Sequence, residues 1–429
     1  MKSKKVLIIA YYWPPAGGPG VQRWLKFVKY LPDFDIEPVV YVPENATYPI
    51  TDETLLNEIP SNITILKQPI KEPYALASLV SKKQTKSLSS GIITSEKKQS
   101  LLERLLLFVR GNFFIPDARA SWVRPSVDFL REYLDNNDIN TIITTGPPHS
   151  VHLIGLGLKA QLKLNWIADF RDPWTTIGYH KALKLMPYAK NKHLRLEHEV
   201  LTNANHIVVT SQLTKTEFST KTKQPISIIT NGFDNVDTII VPKKSDFVMA
   251  HIGSLLSKRN PKILWKVLSE LVATNTDFKN HFRLELAGII SHEVFDSIEH
   301  FGLTAYTKNL GYLSHQEAQK LQRSAQVLLL IEIDSEDTKA IIPGKLFEYM
   351  VSNTPILAIG PQDADVSKLI KDTNTGIYAT TMDAPTIKRH ILAYFSRYQN
   401  NTLELYPIGL EKYSRKMLTK RLSEIIKWE

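Results

Sequence analysis

Two successive series of short apolar strands alternating with amphipathic helices predict an α/β protein built from two Rossmann-like, doubly wound parallel sheets. Three observations carry that expectation. The strand candidates are near-continuous apolar runs, as in parallel sheets buried on both faces. Most end in a Gly, Pro or polar turn that opens a helical pattern. The series also restarts after a Pro/Lys stretch, "VPKKSD".

The first strand is "KVLIIAYYW". The helix "GVQRWLKFVKYL" follows, with apolar residues three and four apart. "EPVVYV", "TIITTG", "NWIADF", "HIVVTS" and "ISIITN" continue the first series. In the second, "FVMAHIGSL", "FRLELAGI", "VLLLIEI", "PILAIG" and "GIYATT" are strands, and "NPKILWKVLSELV", "HQEAQKLQRSA" and "GKLFEYMV" are helices. The tail "LEKYSRKMLTKRLSEIIKW" reads as a long, charged, amphipathic helix. The expected domains are 1–235 and 247–405, with a final helical segment at 406–429. A chain of 429 residues exceeds one ordinary core, which agrees with two domains.

Composition limits the function classes. Hydrophobic residues make up 43% and charged residues 22%, a soluble globular balance without a run of ~18 apolar residues. The basic start followed by apolar residues 6–13 runs into a Pro/Gly turn, so it reads as a buried strand rather than a secretion signal. With no cysteine the chain has no disulfide and no thiolate metal site, and the expected location is the cytoplasm.

The net charge of +10 favours anionic partners. Lys82, Lys83, Lys86, Lys97 and Lys98 precede the apolar "LLERLLLFVRGNFF", which itself holds Arg104 and Arg110. That pairing suits peripheral contact of residues 80–115 with an anionic membrane at the inner face of the cell membrane, or equally a core-facing helix beside a solvated loop. Nucleic acid is not expected, because the tryptophans lie in core elements rather than among the lysines.

Ligands of doubly wound sheets bind outside the carboxyl ends of the strands, so the loops there are the candidate sites. In the second series, "HIGSLLSKRNPK" places Gly253 and Ser254 at a strand end, with Arg259 and Lys262 beyond. Glycine admits a phosphate close to the backbone, and the cations neutralise it. "PGKLFEYM" offers free amides at a helix start around Gly344, with Lys345 beside them. Glu348, one turn in, can accept hydrogen bonds from vicinal hydroxyls such as a ribose pair. The turn at 311–314, with Leu313, suits reading of a base edge.

In the first series, "WPPAGGPGVQR" brings Gly17, Gly18 and Arg23 to the end of strand one as a flexible loop for acceptor or phosphate. "TTGPPHSVH" presents His149, and "ADFRDPW" presents Arg171 and Asp172. Two carboxylates and a guanidinium within four residues are costly to bury without a role. An Arg–Asp brace is the structural alternative.

Taken together, "WPPAGGPGVQR", "NGFD", "HIGSLLSKRNP" and "PGKLFEYMVSNTPILAIG" resemble the family 4 glycosyltransferases of bacterial surface-polysaccharide assembly. The resemblance spans essentially the whole chain. It implies the GT-B fold, with two domains facing a central cleft and a C-terminal helix crossing back to the N-terminal domain. It also implies a retaining, hexosyltransferase-type enzyme of capsule, exopolysaccharide or lipopolysaccharide assembly. The donor would be a nucleotide-diphosphate sugar bound without a metal or other cofactor, and the acceptor a lipid-linked sugar or oligosaccharide. Gly253, Ser254, Arg259, Lys262, Leu313, Gly344, Lys345 and Glu348 would bind donor, with Glu348 on the ribose. Asp172 or His149 would handle the acceptor proton, with Arg171 organising charge. Where the family carries a second glutamate, this chain has Ala340, with Glu336 and Asp337 upstream as substitutes. A sugar-nucleotide epimerase of the same fold and a non-catalytic nucleotide-sugar-binding relative are the alternatives.

Overall fold

A computed structural model describes residues 3–72, 101–181, 183–234 and 241–427. They form two compact units, Met1–Asn231 with Arg415–Glu429, and Gly232–Ser414. The lysines at 82–98 lie outside the described residues.

The first unit contains β1 (Lys4–Ala10), α1 (Pro19–Tyr30), β2 (Ile36–Pro43), β3 (Thr64–Gln68), α2 (Leu101–Phe113), α3 (Val123–Asn137), β4 (Thr141–Gly146) and α4 (Ser150–Lys159). It continues through β5 (Asn165–Phe170), α5 (Gly178–Lys181), α6 (Pro187–Asn203), β6 (His206–Val209), α7 (Gln212–Ser219) and β7 (Ile226–Ile228). Its seven strands lie in the order β3-β2-β1-β4-β5-β6-β7, with every neighbouring pair parallel.

The second unit runs β8 (Phe247–Ile252), α8 (Lys262–Thr274), α9 (Thr276–His281), β9 (Phe282–Ala287), α10 (His292–His300), β10 (Thr307–Gly311) and α11 (His315–Ser324). β11 (Val327–Ile331), α12 (Gly344–Met350), β12 (Ile356–Gly360), α13 (Asp365–Thr373), β13 (Gly376–Thr380) and α14 (Ala384–Gln399) complete it. Its order is β10-β9-β8-β11-β12-β13, again all parallel.

The apolar runs follow from burial on both faces, because successive side chains of a strand point to opposite sides. In β1, Leu7 and Ile9 enter one core with α3, α4 and α6, while Val6, Ile8 and Ala10 enter another with α1. β11 divides in the same way, with Leu329 and Ile331 on one side and Leu328 and Leu330 on the other. Of the four edge strands, β3 and β10 expose residues along their length and lack a buried run, whereas β7 and β13 at the opposite edges have no exposed residue. The sequence reading passed over β3 and β10.

The final helix α15 (Arg415–Lys427) belongs to the first unit. Leu418, Leu422 and Ile426, spaced one turn apart, are buried in the core that holds Trp24 and Val28. Burial of each is worth about 1.5–3 kcal/mol. Arg415 donates to Gln22 Oε1 at 2.8 Å, and Lys416 pairs with Asp33 at 2.8 Å. Residues 406–414, expected to travel with this helix, stay on the second unit. Ile408 N bonds Thr373 O at 2.9 Å, and Asn374 Nδ2 bonds Tyr406 O at 2.9 Å. Among the described residues no helix is long and apolar enough to cross a membrane.

Candidate functional site

Strand order reverses between β8 and β11 in the second sheet and between β1 and β4 in the first. Each reversal opens a crevice at the carboxyl edge, where an α/β sheet binds its ligand.

In the second unit, β8 is followed by Gly253, whose φ of +115° requires glycine. Gly288, after β9, is placed so that a Cβ would stand 2.5 Å from Gly253 O. The three neighbouring loops are stitched together by Gly253 N to Ala287 O (2.8 Å) and Gly288 N to Gly311 O (2.7 Å). This gives a close-packed, glycine-lined backbone surface, with Ser254 exposed at its margin.

Lys345, in the first turn of α12, reaches back over this surface. Its ammonium donates to Ile252 O at 3.2 Å and faces His251 Nε2 at 3.4 Å. His251 Nδ1 meets the carbonyl of Leu329 at 3.1 Å. A carbonyl only accepts, so Nδ1 carries the hydrogen and Nε2 is left to accept from Lys345. Burial, with Lys345 next in weight, pushes His251 far below the usual histidine range, so the ring is neutral. Tyr349 closes the corner, its hydroxyl accepting from Ile252 N at 2.9 Å.

Opposite stands Glu332, buried at the end of β11 with Oε1 free of any hydrogen bond. Burial pushes its carboxyl up, opposed by Arg259 and then Lys345. Burial pulls the Lys345 ammonium down to about 8, opposed by Glu332 and reinforced by Arg259. Arg259 Nε also has no hydrogen-bond partner. Two cations and one carboxyl therefore share the edge without an ion pair inside 4 Å among the described residues. Of these, the sequence reading found Arg259 and Lys345 and missed Glu332 and His251. A carboxylate closing the apolar run "VLLLIE" was the available signal.

Glu348 lies one turn beyond Gly344, half-buried, with Oε2 accepting from Gln322 Nε2 at 3.3 Å. Leu313 is half-buried against the neighbouring core, and Tyr312 beside it is exposed. Lys262 goes elsewhere. As the first residue of α8 it lines a depression with Asn260, Glu293, Asp296 and Ser297, facing α10 rather than the glycine surface. Helix α12 has only seven residues, so its dipole adds less than the helix-start reading expected. The side-chain cations carry the field. Glu336, the suggested substitute at the Ala340 position, is exposed and pairs with Lys339 at 2.7 Å.

The carboxyl edge of the first unit is organised differently. Arg23, expected beside the loop as an acceptor or phosphate group, faces inward from α1 and is buried. It pairs with Asp169 at 3.0 Å and donates to Thr230 O at 2.5 Å. Asp169 also accepts from Trp24 Nε1 and Thr145 Oγ1, both at 2.9 Å. The expected Arg–Asp brace exists, but Arg23 supplies it rather than Arg171. Arg171 donates to Pro147 O and lies against α1, where a Cβ on Gly20 would meet its Nη1 at 1.6 Å. The "AGGPG" loop, expected to be flexible, is pinned. Gly17 N bonds Ile50 O at 2.9 Å, and Asp52 N bonds Pro15 O at 2.7 Å. Gly18, at φ +108°, turns the chain into α1.

His149 is buried immediately before α4 and stacks on Trp174 with ring centres 4.8 Å apart. Neither of its nitrogens has a hydrogen-bond partner. Burial, reinforced by His152, holds it well below the normal histidine range, so it is neutral. Asp172 is half-buried and makes no hydrogen bond or ion pair among the described residues. Burial raises its carboxyl, with Arg171 opposing. Asp172, His149 and Arg171 thus stand outside the brace at this edge. Among the described residues, no group of three or more His, Asp or Glu is arranged to hold a metal ion.

No family model matches the sequence, and no curated protein matches it. Solved structures do. The chain is similar to the lipopolysaccharide outer core galactosyltransferase WaaB in its apo form, with 15% identity and a TM-score of 0.59 over 98% of this chain and 99% of that one. It is similar to WaaG, described as a glycosyltransferase involved in lipopolysaccharide biosynthesis, with 11% identity and a TM-score of 0.54 over 99% of this chain and 100% of that one. It is also similar to a structure titled trehalose-6-phosphate from E. coli bound with UDP-2-fluoro glucose, with 10% identity, a TM-score of 0.61 and coverage of 99% of this chain and 100% of that one. Two parallel-sheet, Rossmann-like units matched to these neighbours along their whole length make the fold GT-B.

Proposed function

We propose that the chain is a glycosyltransferase that moves a hexose from a nucleotide-diphosphate sugar to a lipid-linked sugar or an oligosaccharide, with retention at the anomeric carbon. The observation that carries this reading is the edge of the second sheet, where Lys345 and Arg259 face a glycine-lined backbone surface without carboxylate partners inside ion-pair distance. A diphosphate fits that chemistry, because phosphate oxygens take both backbone amides and fixed cations. Glu348 would hold the ribose hydroxyls, and the 311–314 turn with exposed Tyr312 would meet the base. As the sugar–phosphate bond breaks, charge grows on the leaving diphosphate. Lys345 and Arg259 would stabilise it without a metal, as fixed charges that need no reorganisation.

The first unit would hold the acceptor. There Asp172, half-buried and outside the brace, is better placed than the sealed His149 ring to take the acceptor proton, and Arg171 would set the local charge. The assembly of a surface polysaccharide at the inner face of the cell membrane is the setting proposed for this reaction.

Titration calorimetry against UDP, GDP, ADP and their common sugar conjugates, without and then with magnesium, tests the reading. Micromolar binding to one nucleotide family without metal is expected. No binding to any of them by folded protein would leave a non-catalytic relative. Loss of transfer in Asp172→Asn with donor binding unchanged is expected. Full activity in both Asp172→Asn and His149→Ala would remove the acceptor-side assignment.

A further inference from the structure

Strand β8 is apolar except at His251, which is fully buried. A neutral imidazole carries one donor and one acceptor, and burying it costs free energy unless both are used. Its place in the sheet shows how they are used. β8 and β11 pair only at Met249–Val327 and Ala250–Leu328 and then part, which opens the crevice of the second unit. His251 stands at the fork. Its Nδ1–H crosses the gap to Leu329 O at 3.1 Å, where the backbone ladder has stopped. Nε2 turns its lone pair to the Lys345 ammonium at 3.4 Å. An ammonium has three N–H groups. Ile252 O takes one at 3.2 Å and His251 a second. The third is left for a ligand over the glycine surface, where a Cβ on Gly253 would stand 3.5 Å from the Lys345 nitrogen.

We propose that His251 is a positioning residue for the donor diphosphate, anchoring Lys345 so that one N–H of the ammonium stays aimed at the phosphate oxygens. Only the identity of what Lys345 binds rests on the proposed function; the anchoring does not. A neutral acceptor suits this task better than a carboxylate. Both would fix the lysine, but a carboxylate would also cancel the charge that the diphosphate needs. Lys345 further faces Glu332 from β11, Arg259 from the loop after β8 and the Tyr349 ring of its own helix, 6.0 Å away. These three are kept in the variants at position 251, so changes there read the imidazole.

Glutamine sets an acceptor where Nε2 stands, and asparagine a donor where Nδ1 stands. In nucleotide-sugar titrations at stepped pH, His251→Gln should bind within about twofold of the parent, with the same midpoint near pH 8. His251→Asn keeps the bridge to Leu329 but should bind about tenfold more weakly at pH 7, with its midpoint about one unit lower. Stability should rank the other way, asparagine above glutamine. In a Lys345→Met background the two variants should bind alike. If His251 only spans the strands, asparagine matches the parent in both respects and glutamine is worse in both, which overturns the proposal.

A measurement on the parent needs neither nucleotide nor a folded variant at 251. In histidine-labelled protein, nitrogen NMR should show Nδ1 of His251 protonated and Nε2 bare. Burial keeps the ring neutral between pH 7 and 9, so movement of the Nε2 resonance there reports Lys345 losing its charge. Lys345→Met should abolish that movement. The opposite tautomer, or a resonance indifferent to pH in this range, overturns the anchoring. A chain that shows the coupling and binds no nucleotide would fail the donor reading while supporting the anchoring, so the two can be told apart.

Discussion

The carboxyl edges of the two sheets share a topology and differ in how their charges are satisfied. At the first, Asp169 receives Arg23, Trp24 and Thr145, and the Pro/Gly loop is tied to residues 50–52. At the second, Lys345 meets a carbonyl and a neutral ring, while Arg259 Nε and Glu332 Oε1 have no partner. Buried polar groups are normally paired, so groups held unpaired at a sheet's ligand edge, His149 at the first as well as Arg259 and Glu332 at the second, point to an external partner. The contrast teaches that a dense charge motif in the sequence can be architecture, whereas a sparse one can be the site. "DFRDPW" belongs largely to the first kind and "PGKLFE" to the second.

Acid should break the comparison most strongly. His149 and His152 are buried in the first unit, His152 pulled down to about 3 by burial and His149 far below its normal range. Their folded values lie under the unfolded one, so the unfolded chain binds the protons. Stability is full above about pH 6.5 and is lost as pH falls. At about 1.4 kcal/mol per pH unit, His152 alone costs roughly 3 kcal/mol by pH 4.5 and His149 adds in the same direction, while His251 acts with the same sign in the second unit. Urea unfolding at stepped pH, read by hydrogen exchange, should show the first unit opening before the second. Loss of both together would remove the distinction. Next in size, Arg23→Met leaves Asp169 buried without its cation and should destabilise the first unit by about 3–5 kcal/mol. Donor binding by folded protein should be unchanged.

The second edge should show the reverse pattern, with small effects on folding and large ones on binding. Lys345→Met should weaken nucleotide-diphosphate affinity by about 2–3 kcal/mol, because a charged hydrogen bond is lost. Its melting temperature should hold, since Lys345 forms no ion pair within 4 Å among the described residues. Glu348→Ala should weaken binding by roughly 1.5–3 kcal/mol, and affinity equal to the parent's would refute the ribose assignment. Lys262→Ala supplies the control. Its position against α10 predicts calorimetry indistinguishable from the parent.

How much of this was legible in the sequence depended on burial. Strands such as β1 and β11 announced themselves because both faces are covered, which forces an unbroken apolar run. β3 and β10 did not, because these two edge strands expose polar residues such as Lys67 and Lys308, whereas the edge strands β7 and β13 stay half-buried and keep a legible apolar pattern. Arg23 was read with the Pro/Gly loop as an acceptor or phosphate group because it stands just after it, whereas α1 turns that side chain inward to Asp169, a partner 146 positions away. Spacing along the chain cannot reveal such a pairing. Glu332 was missed for the converse reason. A lone carboxylate after a strand has no motif, and only the fold brings it to Arg259 and Lys345.

The smallest expected effect tests the coupling among those three groups. Burial and Arg259 pull Lys345 down to about 8, and Glu332 opposes them. A bound diphosphate favours the charged ammonium, so affinity for a nucleotide sugar should be flat below about pH 8 and weaken above it. The slope should approach about 1.4 kcal/mol per pH unit. Replacing Glu332 by Gln has two effects of opposite sign. It removes a negative charge that repels the diphosphate, which tightens binding while Lys345 is charged. It also removes the group that keeps Lys345 charged, which moves the midpoint to lower pH. The parent and Glu332→Gln affinity curves should therefore cross between pH 7 and 9, the variant binding tighter at the acid end and weaker at the alkaline end. Parallel curves would mean that Glu332 is already protonated beside the cations, and the second edge would then hold a net positive charge with nothing of its own opposing it.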